Sequence, residues 1–368
     1  MDFTFSPEQE ALRGAVRDFV EREGGRDLVR AAVEADARLP DPVWQQMAGL
    51  GWAGLLIPQE HGGLGLGLVD LVVVQEELGR AAFPGRYLSS AVEATLAALR
   101  LGAGDLLAEM ATGARTGTLA VEELGSVEPL GEIRTKAHGG RLDGVKPTVL
   151  DGDTADWALV VARDDDGLGT YLVENPEAEP VPSLDVTRRL TRLELDGRPA
   201  RRVGPPGDQT ELLQRVVDDI AVALCAETVG ACEAALHLAI EYSKVRVQFD
   251  RPIGSFQAIR HKIVDMLHNL ELARVGTHYA AWASDTSDIS DSERSVAAAM
   301  ANGFVGEAAV MVTAESIQVH GGVGFTWDVD CHLHYRRVKQ NDVLFGRSAW
   351  YRQRLADLVL TEAAGGAQ

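Results

Sequence analysis

Residues 246–266 read Arg246-Val-Gln-Phe-Asp-Arg-Pro-Ile-Gly-Ser-Phe-Gln-Ala-Ile-Arg-His-Lys-Ile-Val-Asp-Met266. Apolar-periodic, Ala-rich sequence runs into this stretch, and a second long helical pattern runs out of it. Pro252 and Gly254 are expected to stop the first helix and Ser255 to N-cap the second. Arg246 and Phe249, three apart, are expected to share a face at a helix C-terminus. Gln257 falls on the first turn of the next helix. A guanidinium, an aromatic ring and two amides (Gln248 and Gln257) then converge on one corner. A guanidinium makes bidentate, charge-assisted bonds to phosphate. Such a corner can hold a pyrophosphate and a planar heterocycle, or it is an exposed helix junction with a solvated arginine.

Working outward, helical periodicity covers about 209–245, 256–284, 292–319 and 332–361. Long amphipathic helices with short connections predict an antiparallel four-helix bundle. Before it, Pro205-Pro206-Gly207 marks a boundary. From Thr116 the apolar period is 2, with short strands expected at 118–122, 133–137, 157–162, 170–174 and 192–195 and turns at Gly139-Gly140 and 164–167. Residues 1 to about 115 read as helical. Ser6 begins a capping pattern with Pro7 at the first helical position and Gln9 three residues on, followed by the stripe Leu12, Val16, Phe19 and Val20. Further helices are expected at 42–50, 68–80 and 87–101. The expected class is α+β, with a helical domain over 1–115, a small β-domain over 116–205 and a helical bundle over 206–368.

A formal net charge of −20 argues against nucleic acid, which requires basic surface, and against an anionic membrane. Any site for an anionic ligand must be basic against the overall field. The three cysteines are widely placed, and Cys225 and Cys232 fall in an apolar helical pattern, as core residues of a reducing cytoplasm would. No charged-then-apolar leader and no run of 18 apolar residues is seen, so neither a signal peptide nor a membrane span is expected. The chain ends in a low-complexity Ala-Ala-Gly-Gly-Ala-Gln.

The corner resembles the Arg-x-Gln-Phe-Gly…Pro-Ile-Gly…Phe-Gln-Ala signature of acyl-CoA dehydrogenases. Gln318-Val-His-Gly-Gly-Val-Gly-Phe325 is similar to the same family's Gln-x-x-Gly-Gly-x-Gly motif. A third resemblance comprises Met1-Asp-Phe-Thr-Phe-Ser-Pro-Glu-Gln-Glu10, Trp44, Leu50-Gly-Trp-Ala-Gly54, Pro58-Gln-Glu-His-Gly-Gly63 and Glu76-Glu-Leu-Gly-Arg80. The three occur in the family's order and cover most of the chain. The resemblance implies the acyl-CoA dehydrogenase fold, with a middle domain like a β-barrel, and FAD as cofactor. It implies α,β-dehydrogenation of an acyl-CoA thioester, in which a glutamate takes the α-proton while the β-hydride passes to the flavin.

Tested against that pattern, the chain is uneven. The family's Tyr-Glu-Gly base motif falls on Arg336-Arg-Val-Lys-Gln-Asn-Asp-Val-Leu-Phe-Gly346, which puts Phe345 at the glutamate. An alternative family position for the base falls on Ile220 and Ala221. Asp218 and Asp219 lie beside it, and Glu227 lies two turns on in an apolar helix. Glu227 is either a base with a raised pKa or a structural carboxylate paired to a neighbouring helix. The loop that seats the flavin ring reads Ala120-Val-Glu-Glu-Leu-Gly-Ser-Val-Glu-Pro129, with only its glycine and serine kept. The Lys-x-Trp strand reads Lys146-Pro-Thr-Val-Leu-Asp-Gly-Asp153, without the Trp and with Pro147 expected to disturb the strand. Arg246, Gln248, Phe249, Gln257, Gln318, Gly321 and Gly322, which in the family reach a flavin in the neighbouring subunit, are all present.

This asymmetry resembles the catalytically silent subunits of heterotetrameric (α2β2) actinobacterial acyl-CoA dehydrogenases acting on steroid side-chain CoA esters. The resemblance implies no catalytic residue of its own and a catalytic partner subunit that holds the acyl-CoA. It also implies electron-transfer flavoprotein as acceptor and a cytoplasmic location. Two alternatives stay open: a homo-oligomer with a relocated base (Glu227 or Asp219), and a fold-only relative. Cys331-His-Leu-His334 reads as surface rather than a metal site, since His at i and i+2 do not share a helix face. His261 and His320 either touch cofactor phosphate or cap helices. The glycine-rich 61–67 stretch reads as a loop between helices, and 285–293 as a solvated acidic connection.

Overall fold

The computed structural model describes residues 5–365. The start of the N-terminal motif (1–4) and the end of the Ala/Gly tail (366–368) lie outside the described residues. In chain order come α1 (Pro7–Arg22), α2 (Gly25–Glu34), α3 (Asp41–Gly49), α4 (Leu68–Arg80), a π-helical segment (Tyr87–Ala94), α5 (Thr95–Leu101) and α6 (Gly104–Ala111). The strands are β1 (Gly117–Ala120), β2 (Lys136–His138), β3 (Arg141–Leu150), β4 (Trp157–Asp164), β5 (Gly167–Glu174), β6 (Glu179–Val181), β7 (Leu190–Pro199) and β8 (Arg201–Val203). Then follow α7 (Thr210–Val245), the short pair β9 (Val247–Gln248) and β10 (Arg251–Pro252), α8 (Gln257–Asp285), α9 (Asp291–His320), α10 (Cys331–Asn341) and α11 (Ser348–Gly365).

Contacts group the chain into two compact units. One comprises residues up to Arg30, Val72–Phe83 and the chain from Ala221 onward; the other comprises Ala31–Leu71 and Pro84–Ile220. In the first, α1 begins where the capping pattern places it. Ser6 accepts from the Gln9 backbone, Gln9 accepts in return, and Val16, Phe19 and Val20 are buried. Within this unit the backbones of α4 and α7 cross closely at two glycines. A Cβ on Gly79 would lie 2.0 Å from the Glu227 carbonyl, and one on Gly230 would lie 1.9 Å from that of Glu76. The adjacent carboxylates Glu76 and Glu77 are buried on α4. Arg17 and Arg80 bond Glu77 at 2.6 and 2.8 Å, and His278 of α8 bonds Glu76 at 2.6 Å. α7 and Asp291–Phe325 are long and apolar enough to cross a membrane by length and composition. Most of the apolar window of α7 is buried inside the protein, as in a core helix.

The second unit holds a mixed sheet in the order β6-β7-β3-β2-β4-β5-β8, with β1 parallel to β4. Its core is built from inward-facing Leu142, Val149, Ala158, Val160, Val173, Leu193 and Leu195. The Gly139-Gly140 turn, with both residues at positive φ, joins β2 to β3. Sequence periodicity misses β3. The strand runs straight through Pro147, and the register shifts between Lys146 and Val149. The irregularity accommodates a residue that cannot donate to a ladder, so Pro147 bends the strand without ending it. The helix expected over 87–101 opens as a π-helix before becoming α. The helix expected over 332–361 is two helices, because Phe345 (φ 54°) and Gly346 (φ 104°) turn the chain between α10 and α11.

Candidate functional site

The corner that opens the sequence reading differs from expectation in its backbone. α7 ends at Val245, well before Pro252. The Arg246 N–H still bonds the Tyr242 carbonyl at 2.9 Å, and the chain then enters a two-residue hairpin pairing Val247-Gln248 with Arg251-Pro252. Phe249 and Asp250 form its turn at φ 53° and 59°, the left-handed pair that such a tight turn demands. Arg246 and Phe249 therefore do not share a helical face. Ser255 does not cap α8 either. It ends a 3₁₀ turn, Phe256 takes the N-cap position with no side-chain cap bond, and the Ser255 hydroxyl is buried without a hydrogen-bond partner. Gln257 does open α8, as expected.

The exposure of these residues is informative. Phe249 is 86% exposed in a conformation costing a non-glycine residue about 1 kcal/mol. Its ring meets the edge of Phe256, at 6.0 Å, while the Arg251 guanidinium lies over Phe256 at 4.1 Å. Arg246, Gln248 and Gln257 are exposed. Among the described residues the Arg246 guanidinium has no hydrogen-bond or ion-pair partner, and the Gln248 amide bonds only its neighbour's carbonyl. Between Lys244 and Lys262 the chain carries five Lys or Arg against the single carboxylate of Asp250. The corner is thus locally basic in an acidic protein. Arg251, which the sequence reading did not select, belongs to it.

The glycine loop lies at the same end of the bundle. Tyr242 on α7 stacks on His320 at the end of α9, with ring centroids 4.5 Å apart, and Lys262 of α8 pairs with Glu315 of α9 at 2.5 Å. Gln318 is exposed on the last turn of α9. Gly321 takes φ 64°, and a Cβ on Gly321 or Gly322 would meet open space, so two peptide groups are accessible to a ligand. The structure therefore brings Arg246, Gln248, Phe249, Gln257, Gln318, Gly321 and Gly322 to one end of one unit. They fit the pyrophosphate-and-adenine half of a dinucleotide: open backbone, free guanidinium, amides and an exposed ring. His261 is exposed in the first turn of α8, whereas His320 is buried and bonds the Ser316 carbonyl of its own helix through Nδ1 at 2.8 Å.

The residues matching the ring seat, in the other unit, are closed on themselves. Lys146 is fully buried; its Nζ donates to Glu123 at 2.8 Å and to the Val121 carbonyl at 2.9 Å. Glu123 also accepts from the backbone and hydroxyl of Thr135, at 3.0 and 2.8 Å. Burial pushes the Lys146 amine down to about 8 against the pull of Glu123. Burial works most strongly against ionised Glu123, but the bond and charge of Lys146 and the two Thr135 bonds together outweigh it and hold the carboxyl below the usual range. These side chains pin the β1–β2 connection to β3. They do not fit an isoalloxazine, since Lys146 Nζ is fully buried and bonded to Glu123 Oε1 and the Val121 carbonyl.

No carboxylate stands at the position matching the base. Phe345 is buried, and its carbonyl accepts from the Tyr351 hydroxyl at 2.8 Å. Glu227 is buried and paired: it bonds Arg337 at 2.6 Å and Asn341 at 3.1 Å, and Arg337 also reaches the Ala82 and Phe83 carbonyls. Asp219 pairs with Arg100 at 2.7 Å. Ile220 and Ala221 are buried. Cys331, His332 and His334 are buried as well, which corrects their reading as surface. The irregular turn before α10 folds inward, and Trp327 packs edge-on to His332 at 4.7 Å. Burial, then nearby Arg336 and Arg30, push the His332 imidazole below its usual range. Among the described residues no group of His, Cys, Asp or Glu is placed to hold a metal ion.

Comparison with known proteins gives the family. Residues 6–113 match the acyl-CoA dehydrogenase N-terminal domain and residues 211–360 the C-terminal domain. Acyl-CoA dehydrogenase IpdE2 of Mycolicibacterium smegmatis is 34% identical over 344 residues, covering 93% of this chain and 95% of the relative. The solved structure of a Tcur3481–Tcur3483 steroid ACAD variant superposes with a TM-score of 0.88 at 31% identity, over 97% of this chain and 99% of that one. The ChsE4–ChsE5 complex of Mycobacterium tuberculosis gives 0.87 at 28% identity, over 98% and 99%. From its opening capping box to its glycine loop, the chain belongs to the acyl-CoA dehydrogenase family.

Proposed function

We propose that this chain is the non-catalytic subunit of a heteromeric, FAD-dependent acyl-CoA dehydrogenase, and that its donated half-site completes the FAD site of a catalytic partner. The observation that carries this reading is the contrast between Phe249 and Phe345. An aromatic ring is held almost fully exposed, at a conformational cost, where an adenine–pyrophosphate group would lie. A buried phenylalanine stands where the base would. Arg246, Gln248, Phe249, Gln257, Gln318, Gly321 and Gly322 would contact FAD across the interface, and the acyl-CoA would bind in the partner. Members of the family are FAD-dependent oxidoreductases. The similarity to a structure described as a steroid ACAD and to a two-component complex supports a bulky steroid-type thioester as substrate and a heterotetramer as assembly. Electron-transfer flavoprotein as acceptor and a cytoplasmic location accompany that reading.

The test is flavin content of the chain purified alone and co-purified with a catalytic acyl-CoA dehydrogenase chain from the same genome. The expectation is no flavin alone, about one FAD per pair of unlike chains by absorbance, and an emptied site in Arg246→Ala. One FAD per chain in the lone protein would overturn the reading.

A further inference from the structure

We propose that the stacked pair Tyr242–His320 is the clamp that positions the donated half-site, with His320 as a positioning residue for FAD rather than a contact to it. The inference rests on the half-site reading above and concerns how that site holds its shape.

The seven half-site residues come from two separate segments. Short-range spacing cannot hold them together: the corner leaves α7, and the glycine loop leaves α9. Tyr242 is the residue whose carbonyl takes the Arg246 N–H at 2.9 Å, the last helical bond before the corner. His320 is the residue directly before Gly321, the first open peptide of the loop. Their rings lie 4.5 Å apart at an interplanar angle of 24°, so the stack ties the end of one segment to the start of the other.

The imidazole is held from behind. Its Nδ1 bonds the Ser316 carbonyl at 2.8 Å. A carbonyl only accepts, so Nδ1 carries the proton and the tautomer is set. The Ser316 hydroxyl in turn donates to the Ala235 carbonyl of α7 at 2.7 Å. His320 is only 4% exposed, unlike the exposed half-site side chains. Gly321 and Gly322 have open space where a Cβ would be. The loop is held at its start by Gly321 N–H bonds to the Gln318 and Ile317 carbonyls and at its far end by the Cys331 thiol on the Gly324 carbonyl, and the His320 ring adds the tie from this loop to the end of α7. A half-site displaced by an ångström loses affinity steeply, because its bonds to an anion are directional.

The experiment measures FAD retained, and its dissociation rate, in the flavoprotein complex that this chain forms, with itself or with a catalytic chain. His320→Phe keeps the stack and removes the Ser316 bond; His320→Asn keeps a donor for Ser316 and removes the stack. The expectation is that His320→Asn and His320→Ala release FAD at least about tenfold faster, while His320→Phe stays within about threefold of the parent, one factor of ten corresponding to roughly 1.4 kcal/mol. Equal loss in Phe and Asn variants of similar melting temperature would overturn the clamp, as would unchanged release in the Ala variant. Arg246→Ala separates the two readings. If it retains FAD, the half-site reading itself fails. If it empties the site while His320→Asn does not, only the clamp fails.

Discussion

Asp151 sits at φ 52°, buried, and accepts from the Ser89 hydroxyl at 2.6 Å. Burial, opposed by Ser89, Arg86 and Arg188, holds its carboxyl above the usual range. A carboxyl raised on folding contributes most below its unfolded pKa, and the contribution is lost as pH rises through the folded value. Asp151→Asn is therefore expected to stabilise the protein at neutral pH. The gain should shrink as pH falls through the folded value toward about 4, read as melting temperature against pH. Asparagine also suits the left-handed backbone. Glu227 makes the opposite case. Glu227→Gln leaves fully buried Arg337 without its counter-charge and is expected to cost roughly 3–5 kcal/mol in denaturant titration. Dehydrogenase activity per folded complex should hold near the parent value. A 10²–10⁴-fold loss at full folding, the usual effect of a missing base, would restore Glu227 as catalyst.

At the scale of elements, the glycine crossing of α4 and α7 leaves no room for a methyl group, since the obstructing atoms are main-chain carbonyls rather than flexible side chains. Gly230→Ala should destabilise the fold by about 3 kcal/mol, at the upper end of overpacking costs, with a matching fall in melting temperature. Capping chemistry made α1 legible from sequence, because Ser6 and Gln9 act within one turn of each other. The same reasoning failed at Ser255. There the chain needed a hairpin and a 3₁₀ turn to redirect itself, and these displaced the serine from the N-cap. Likewise β3 looked broken at Pro147, because a missing donor is visible in sequence while a register shift that tolerates it is not.

For the whole molecule, the proposed non-catalytic role rests on more than one place: Phe345 at the position matching the base, and Lys146 and Glu123 bonded to each other in the other unit. Phe345→Glu in the lone chain is accordingly expected to yield no acyl-CoA-dependent reduction of an artificial electron acceptor. Measurable turnover with bound flavin would show that the seat is competent after all. The buried glutamate should also lower stability, since phenylalanine occupies an apolar position there.

The sequence by itself determined the family, the succession of helical, β and helical regions, the residues proposed for the half-site and the phenylalanine at 345. Each of these is written in residue type and short-range spacing. Only the tertiary structure decided that Glu227 pairs with Arg337 and Asp219 with Arg100, that the Cys331–His334 cluster faces inward, and that Tyr242 meets His320. Those facts depend on partners 78 to 119 residues away in sequence, or on backbone turns at Phe249 and Phe345 that side-chain patterns do not encode. Periodicity reports which face of an element is apolar, and packing alone chooses what that face meets.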